Sequence, residues 1–388
     1  MVAVPGGRKK PPAVPVWHRN PAVFGTSVRI LLPELLPFNV FRTPNSDERR
    51  RKMSQKKILV TGGAGYIGSH VVRQLGAAGE SVLVLDNLST GFESAVTAGE
   101  LIVGDTGDAA LLETIFTTHE IDTIMHFAAK TIVPESVADP LLYYRNNTAN
   151  SLVLLEAARR HRVRSIVFSS TAAVYGALEG GKADEDSPTR PINPYGMSKL
   201  MTEYMLADLA RAGGPQFVAL RYFNVAGCDT TGRIGHSTPK ATLLVKVACE
   251  TAVGKRQQVS IFGTDYPTPD GTGLRDYIHV EDLATAHLDA LRYLRDDGES
   301  VVLNCGYGHG YSVRQVLNAV EKAAGSPLRV VEEVRRPGDS PEVVAVARRI
   351  REVLGWKPRL DNLDRIVETS LDWERRIAAR DPSAYWSD

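Results

Sequence analysis

Tyr195 and Lys199 stand four residues apart in the stretch NPYGMSKL (193–200), directly after a proline. Pro194 suits the first turn of a helix, where no N–H is needed. On that helix Tyr195 and Lys199 share one face. A tyrosine hydroxyl ordinarily titrates near ~10. A neighbouring ammonium, joined by the positive ring of an oxidised nicotinamide, favours the phenolate and so lowers that value. The result is a general base for a sugar or alcohol hydroxyl. Thr171, closing the apolar run of RSIVFSSTAAVYG, supplies a hydroxyl that can bind the same group and aim it. A Tyr-x3-Lys pair also arises on ordinary surface helices, so the catalytic reading needs a cofactor site beside it.

Such a site is written in KKILVTGGAGYIGSHVVRQLGAAGESVLVLDN. It reads as strand, glycine-rich turn, helix and strand. Gly62, Gly65 and Gly68 permit a tight turn and a close backbone approach to a pyrophosphate. The helix that follows offers free N–H groups and the positive end of its dipole. Asp86 closes the second strand 18 residues after Gly68. A carboxylate there hydrogen-bonds both hydroxyls of an adenosine ribose and repels a 2′-phosphate, which favours NAD over NADP. Asp105 ends the next strand, ELIVGDT, within reach of an adenine edge.

These residues need elements to hold them at one edge. IDTIMHFAAK and RSIVFSSTAAVYG read as further strands, and NSLVLLEAARRH as a helix between them. The alternation predicts an α/β fold: a Rossmann-type, doubly wound parallel sheet with its ligands at the carboxyl ends of the strands. After RYFNVAG, Pro, Gly and Asp cluster through 227–240 and 263–275 around the helix KATLLVKVACETAVGKR. The expected organisation is a nucleotide-binding domain over 53–225 and a smaller α/β substrate-binding domain, mainly 226–388.

Composition narrows the class. The 388 residues are 43% hydrophobic and 23% charged, with only three cysteines, Cys228, Cys249 and Cys305. Their spacing fits neither a disulfide framework nor a metal site, and it suits a reducing cytoplasm. No run reaches the ~20 apolar residues of a membrane span. The net charge of +1 divides into +7 over residues 1–52 and −6 over the rest. A mildly acidic body carries no nucleic-acid footprint. Residues 1–52 are rich in Pro and Arg and lack periodicity. They are expected to be a disordered tail or an over-extended gene start, with Met53 as the natural beginning; an organelle address is the lesser alternative.

The strings TGGAGYIGSH, LDNLS, YYRNN, FSSTAAVYG, PYGMSKL, LRYFNVAG, IFGTDYPTPDGTGLRDYIHVEDLA and RRPGDSPEVVA together resemble the extended short-chain dehydrogenase/reductase family, and within it the UDP-glucose 4-epimerases. The likeness runs from about residue 57 to about 375. It implies a reaction without net redox. Tyr195 takes the proton of the sugar 4-hydroxyl, and the C4 hydride is lent to bound NAD. The 4-keto sugar then turns over, and hydride and proton return on the opposite face, interconverting UDP-galactose and UDP-glucose. By the same resemblance Lys199 holds the nicotinamide ribose. The cofactor contacts would include Tyr66, Ile67, Asn87, Thr106, Phe127, Ala128, Ala129, Asn146 and Phe223. Arg275 and Arg336 would clamp the diphosphate, since a guanidinium grips two oxygens at once. Asn224 would bind near the diphosphate and Asp339 the uridine ribose, while Leu243, Ile261 and Phe262 would line the uracil slot. The resemblance further implies a homodimer through helices near 137–160 and 195–212. Galactose breakdown and the supply of UDP-galactose would both use the reaction.

Three departures from the family pattern stand out. Thr131 occupies a place where many relatives carry a lysine, and Lys130 lies one position earlier. Thr171 stands where many carry serine. Val343 stands where many carry a bulky tyrosine, and its smaller side chain leaves room for a 2-acetamido group. Epimerisation of UDP-GlcNAc/UDP-GalNAc is therefore an alternative, as is a UDP-xylose/UDP-arabinose substrate. A 4,6-dehydratase is disfavoured, because Ala172 and Ala173 follow Thr171 where that chemistry needs Asp-Glu. A non-catalytic NAD-sensing protein is the remote alternative, and the presence of Tyr195 and Lys199 argues against it.

Overall fold

The computed structural model describes residues 56–379, apart from 179, 239, 240, 337 and 338. The extension over 1–52 and the start at Met53 lie outside the described residues.

β1 (Lys57–Thr61), β2 (Val82–Asp86), β3 (Glu100–Val103), β4 (Ile121–His126), β5 (Ser165–Thr171), β7 (Gln216–Tyr222) and β12 (Val301–Cys305) form one seven-stranded sheet in the order 3-2-1-4-5-7-12. Every pairing in it is parallel. A second sheet joins β13 (Tyr311–Ser312), β10 (Leu274–Arg275), β15 (Glu342–Ala345) and β6 (Lys182–Ala183) in that order. Two further pairs are β8 (Asn224–Ala226) with β11 (Tyr277–His279), and β9 (Val259–Phe262) with β14 (Val330–Glu333).

The central strands are apolar throughout because helices cover both faces. Side chains alternate between those faces. Ile58 and Val60 pack with Val71, Val72 and Leu75 of α1 (Tyr66–Ala77). Leu59 points the other way, into a cluster with Leu112 of α2 (Ala109–Thr118). Leu154 and Leu206 complete that cluster, from α5 (Asn150–Arg160) and α6 (Pro194–Arg211). Between β4 and α5 lie the short helices α3 (Val133–Ala138) and α4 (Pro140–Tyr143) and a π-helical segment over Tyr144–Ala149.

The doubly wound sheet expected from the alternation is present. The division expected at 225/226 does not cut it cleanly. β12 comes from beyond that point, as does α8 (Val280–Arg295), which packs on β5 and β7, with α7 (Leu244–Ala252) before them. The described residues belong to one compact unit. A chain that leaves the sheet after β7 and returns for its edge strand interleaves the two parts, so no single boundary in sequence separates them.

Candidate active site

Thr61, Asp86, His126, Thr171 and Tyr222 end five neighbouring strands of the parallel sheet, so polar groups collect along one edge. The glycine turn sits at its middle. Gly62 has φ +71°, and a Cβ built there would lie 2.6 Å from the main-chain nitrogen of Ala128. A Cβ on Gly68 would collide with the Gly62 carbonyl. Glycine is therefore required for the turn to lie against β4 and for α1 to start where it does. α1 begins after Gly65 with no side chain capping it, so its first N–H groups face outward as an anion cradle. Asp86 leans over this turn. Its carboxylate accepts from the N–H of Ala64 (2.9 Å) and of Leu88 (2.8 Å), and burial raises its pKa.

Asp105 accepts from Asn87 Nδ2 and Asn150 Nδ2, both at 2.8 Å, which joins two of the expected cofactor residues. Thr106 is buried beside them. Phe127 and Ala128 donate their N–H groups to the Thr61 carbonyl. Asn146 donates to Asn147 Oδ1, and Asn147 in turn holds the main chain of Lys130 at both its N–H (2.8 Å) and its carbonyl (3.0 Å). The loop after β4 is thus tied to the π-helical segment. Tyr66 stacks on His236 and donates to the Gly227 carbonyl at 2.7 Å. Phe223 packs against Tyr175 and Leu200. The fit to a dinucleotide rests on this cradle of required glycines, open N–H groups and a strand-end carboxylate.

α6 starts as its residues dictate. Asn193 caps it by accepting from the Gly196 N–H at 2.8 Å, and Pro194 takes the first position. Three consecutive residues of β5 then meet three positions on one face of this helix. Ser169 gives its carbonyl to Lys199 Nζ at 2.8 Å. Ser170 donates its hydroxyl to Glu203 Oε1. The Thr171 hydroxyl, which accepts from the Ala173 N–H at 3.1 Å, stands on the side of the Tyr195 phenol and favours its ionised form. Among the protein's own groups burial raises the Tyr195 phenol, and the Thr171 side chain opposes the rise; the lowering expected from the sequence rests on Lys199 together with the nicotinamide ring. The group moved down is Lys199 itself, pushed by burial to about 7 while Glu203 opposes the shift. Its ammonium lies 4.9 Å from the Phe168 ring centroid.

On the substrate side Arg275 and Asp339 form an ion pair at 3.6 Å, and the Arg336 guanidinium lies 3.6 Å from the Phe262 ring centroid. Asn224 pairs with Tyr277 in the β8–β11 ladder. Arg275 and Val343 are in-register partners of β10 and β15. The other two residues expected at the uracil are Ile261 and Leu243. Ile261 is buried in the core with its side chain turned away from the Phe262 face, as strand alternation requires. Leu243, at the start of α7, lines a small cavity with Tyr66, His236, Lys246 and Glu374.

Glu203, Arg221, Ser170 and Asn147 were passed over in the sequence. Glu203 binds Arg221 with both oxygens, Nε–Oε1 at 3.0 Å and Nη2–Oε2 at 2.6 Å. Arg221 Nη1 also donates to the Tyr175 hydroxyl, which donates to Asn304 Oδ1. Glu203 had a usable signal, since it stands four residues after Lys199. Arg221 had none, because only the sheet order brings it there.

Comparison with known proteins agrees with this geometry. The model of the NAD dependent epimerase/dehydratase family matches residues 58–306. A UDP-glucose 4-epimerase of Azospirillum brasilense is 56% identical over 322 residues, covering 83% of this chain and 92% of the relative. The structure of a UDP-glucose 4-epimerase from Bifidobacterium longum, in complex with NAD+ and UDP, superimposes with a TM-score of 0.79. It is 40% identical, over 83% of this chain and 98% of that one. A UDP-Glc/GlcNAc 4-epimerase from Campylobacter jejuni superimposes at 0.74, with 45% identity over 83% and 99%.

Proposed function

The chain belongs to the NAD dependent epimerase/dehydratase family and is an NAD-dependent isomerase; on that premise we propose that it interconverts UDP-galactose and UDP-glucose at C4. The observation that carries this reading is the meeting of β5 with α6. Lys199, buried, donates to the Ser169 carbonyl at 2.8 Å, and Tyr195 stands one helical turn before it towards Thr171, at the sheet edge that holds the glycine cradle. Bound NAD supplies the acceptor and donor of hydride at the sugar carbon. The chain's own residues do the rest. The glycine turn and α1 hold the pyrophosphate, Asp86 the adenosine ribose, and the ring around Asp105, Asn87 and Thr106 the adenine. Thr171 aims the 4-hydroxyl at Tyr195, which takes its proton and later returns it. Lys199 holds the nicotinamide ribose and favours the phenolate. Arg275, Arg336, Asn224 and Asp339 grip the diphosphate and uridine.

Ala172 and Ala173 follow the strand end, and neither transfers a proton, which supports epimerisation over dehydration. Incubation with UDP-galactose and chromatography of the product tests this. UDP-glucose is expected, and a deoxy-keto sugar would overturn it. Val343 beside Arg275 supports a second reading, in which UDP-GlcNAc and UDP-GalNAc are also accepted. Failure to turn over UDP-GalNAc by an enzyme active on UDP-galactose would remove it.

The reading extends to a cytoplasmic homodimer. The described cysteines are all free, and no helix among the described residues is long and apolar enough to cross a membrane. Val137, Leu141, Leu152, Met201 and Tyr204 are exposed on α3 to α6, which supports pairing of two copies through this face.

A further inference from the structure

We propose that Glu203 is a positioning residue for the Tyr195–Lys199 pair: it pins the strand end that carries Thr171 to the catalytic helix and keeps the Lys199 ammonium charged. The proposal rests on the function argued above and adds a fourth residue to Tyr195, Lys199 and Thr171.

Tyr195, Lys199 and Glu203 are i, i+4 and i+8 on α6, so one face presents phenol, ammonium and carboxylate in line. Glu203, Lys199 and Arg221 are exposed by only 4%, 3% and 6%. Three ions in that setting are costly unless each is paired and hydrogen-bonded. The Glu203 carboxylate meets this requirement with three donors, two from Arg221 and one from Ser170. Ser170 lies between the residue whose carbonyl takes the Lys199 ammonium and Thr171. A bond from Ser170 to Glu203 therefore fixes the height of β5 against α6, and with it the Lys199 contact and the place of Thr171 beside Tyr195.

Lys199 meets few other charges. On α6 it faces Tyr195 and Glu203. β5 offers the Ser169 carbonyl and the Phe168 ring. β4 brings His126, which burial pushes down to about 3 and so leaves neutral. β7 brings Arg221, held by Glu203, and Tyr222, bonded to Ser169 and raised by burial. From α4 Tyr143 lies edge-on to Tyr195 and bonds Glu135. The π-helical segment packed against α6 brings Asn147, bonded to Ser198, and Arg145. Glu203 is the carboxylate that opposes the burial of the Lys199 ammonium.

The test is the pH profile of kcat for the NAD-loaded full chain with UDP-galactose, in wild type, Glu203→Gln and Ser170→Ala. Glu203→Gln keeps the shape and removes the charge. Its alkaline limb should move to lower pH by on the order of one unit, an about ten-fold loss of kcat above the limb, with NAD content retained. Ser170→Ala keeps the charge and removes the pin. Its limb should stay in place while kcat falls about ten-fold across the range. Should Glu203→Gln fail to fold because Arg221 is orphaned, Glu203→Gln with Arg221→Gln is held to the same shift, and Ser170→Ala still decides the pin. A variant that melts lower but whose kcat profile superimposes on wild type would show a merely structural role and overturn the proposal. An inactive wild type would overturn the function and this proposal together; an active wild type with an unmoved limb in Glu203→Gln overturns this proposal alone.

Discussion

Lys199 Nζ donates to the Ser169 carbonyl at 2.8 Å, two residues before Thr171, whose side chain favours the ionised form of the Tyr195 phenol. One strand end thus faces both members of the Tyr-x3-Lys pair. The main-chain acceptor stabilises an ammonium that burial would otherwise discharge. Turnover then depends on a fixed relation between β5 and α6, and the following outcomes are expected.

Tyr195→Phe removes the proton acceptor while leaving the aromatic edge contact with Tyr143. The turnover number should fall by about 10²–10⁴, the range of a lost general base, with NAD still bound. Product formation by chromatography and cofactor content by absorbance read the two quantities separately. Near-normal turnover would refute the base assignment.

Asp86→Ala deletes the carboxylate that leans over the glycine turn and frees the N–H groups of Ala64 and Leu88. NAD should be lost on gel filtration, while calorimetric affinity for UDP changes little. Equal weakening of both ligands would mean that the change spreads through the fold.

Lys199→Met gives a signed test of the buried ammonium. Burial holds Lys199 at about 7 in the folded chain, against about 10.4 when unfolded. Between these values the unfolded chain binds the extra proton, so this group makes the fold more stable as pH rises from about 7 to about 10.4, and below 7 the full penalty of a buried charge applies. The melting temperature of Lys199→Met relative to wild type should therefore be higher at pH 6.5 than at pH 9.5. A difference independent of pH would contradict the shift, while loss of activity in either case fits the catalytic role.

Leu141→Glu with Tyr204→Glu places two charges on the exposed apolar face of α4 and α6. Light scattering should show a dimer for wild type and a monomer for the variant, with the fold intact by circular dichroism. A wild-type monomer would remove the homodimer.

Much of this was legible beforehand because it depends on local signals. The glycine turn is readable since positive φ and close approach demand glycine, as Gly62 and Gly68 show. The start of α6 is readable since Asn193 and Pro194 each act within one turn. What stayed hidden depends on distance in sequence. Arg221 reaches Glu203 only because β7 lies beside β5. β12 completes the sheet from 75 or more residues past the expected boundary at 225/226. The pleat of β9 sends Ile261 into the core and its neighbour Phe262 to the opposite side, a separation that adjacent positions in a sequence do not display. The burial that raises the Tyr195 phenol has no signature in a Tyr-x3-Lys spacing.

The most direct measurement supplies UDP-galactose carrying deuterium at C4 to the purified full chain with no cofactor added, and locates the label in the products. The account predicts a stable mixture of UDP-galactose and UDP-glucose, with deuterium retained at C4 of both and no net NADH. Conversion with the label lost to solvent, or no conversion by protein shown to carry NAD, would contradict it.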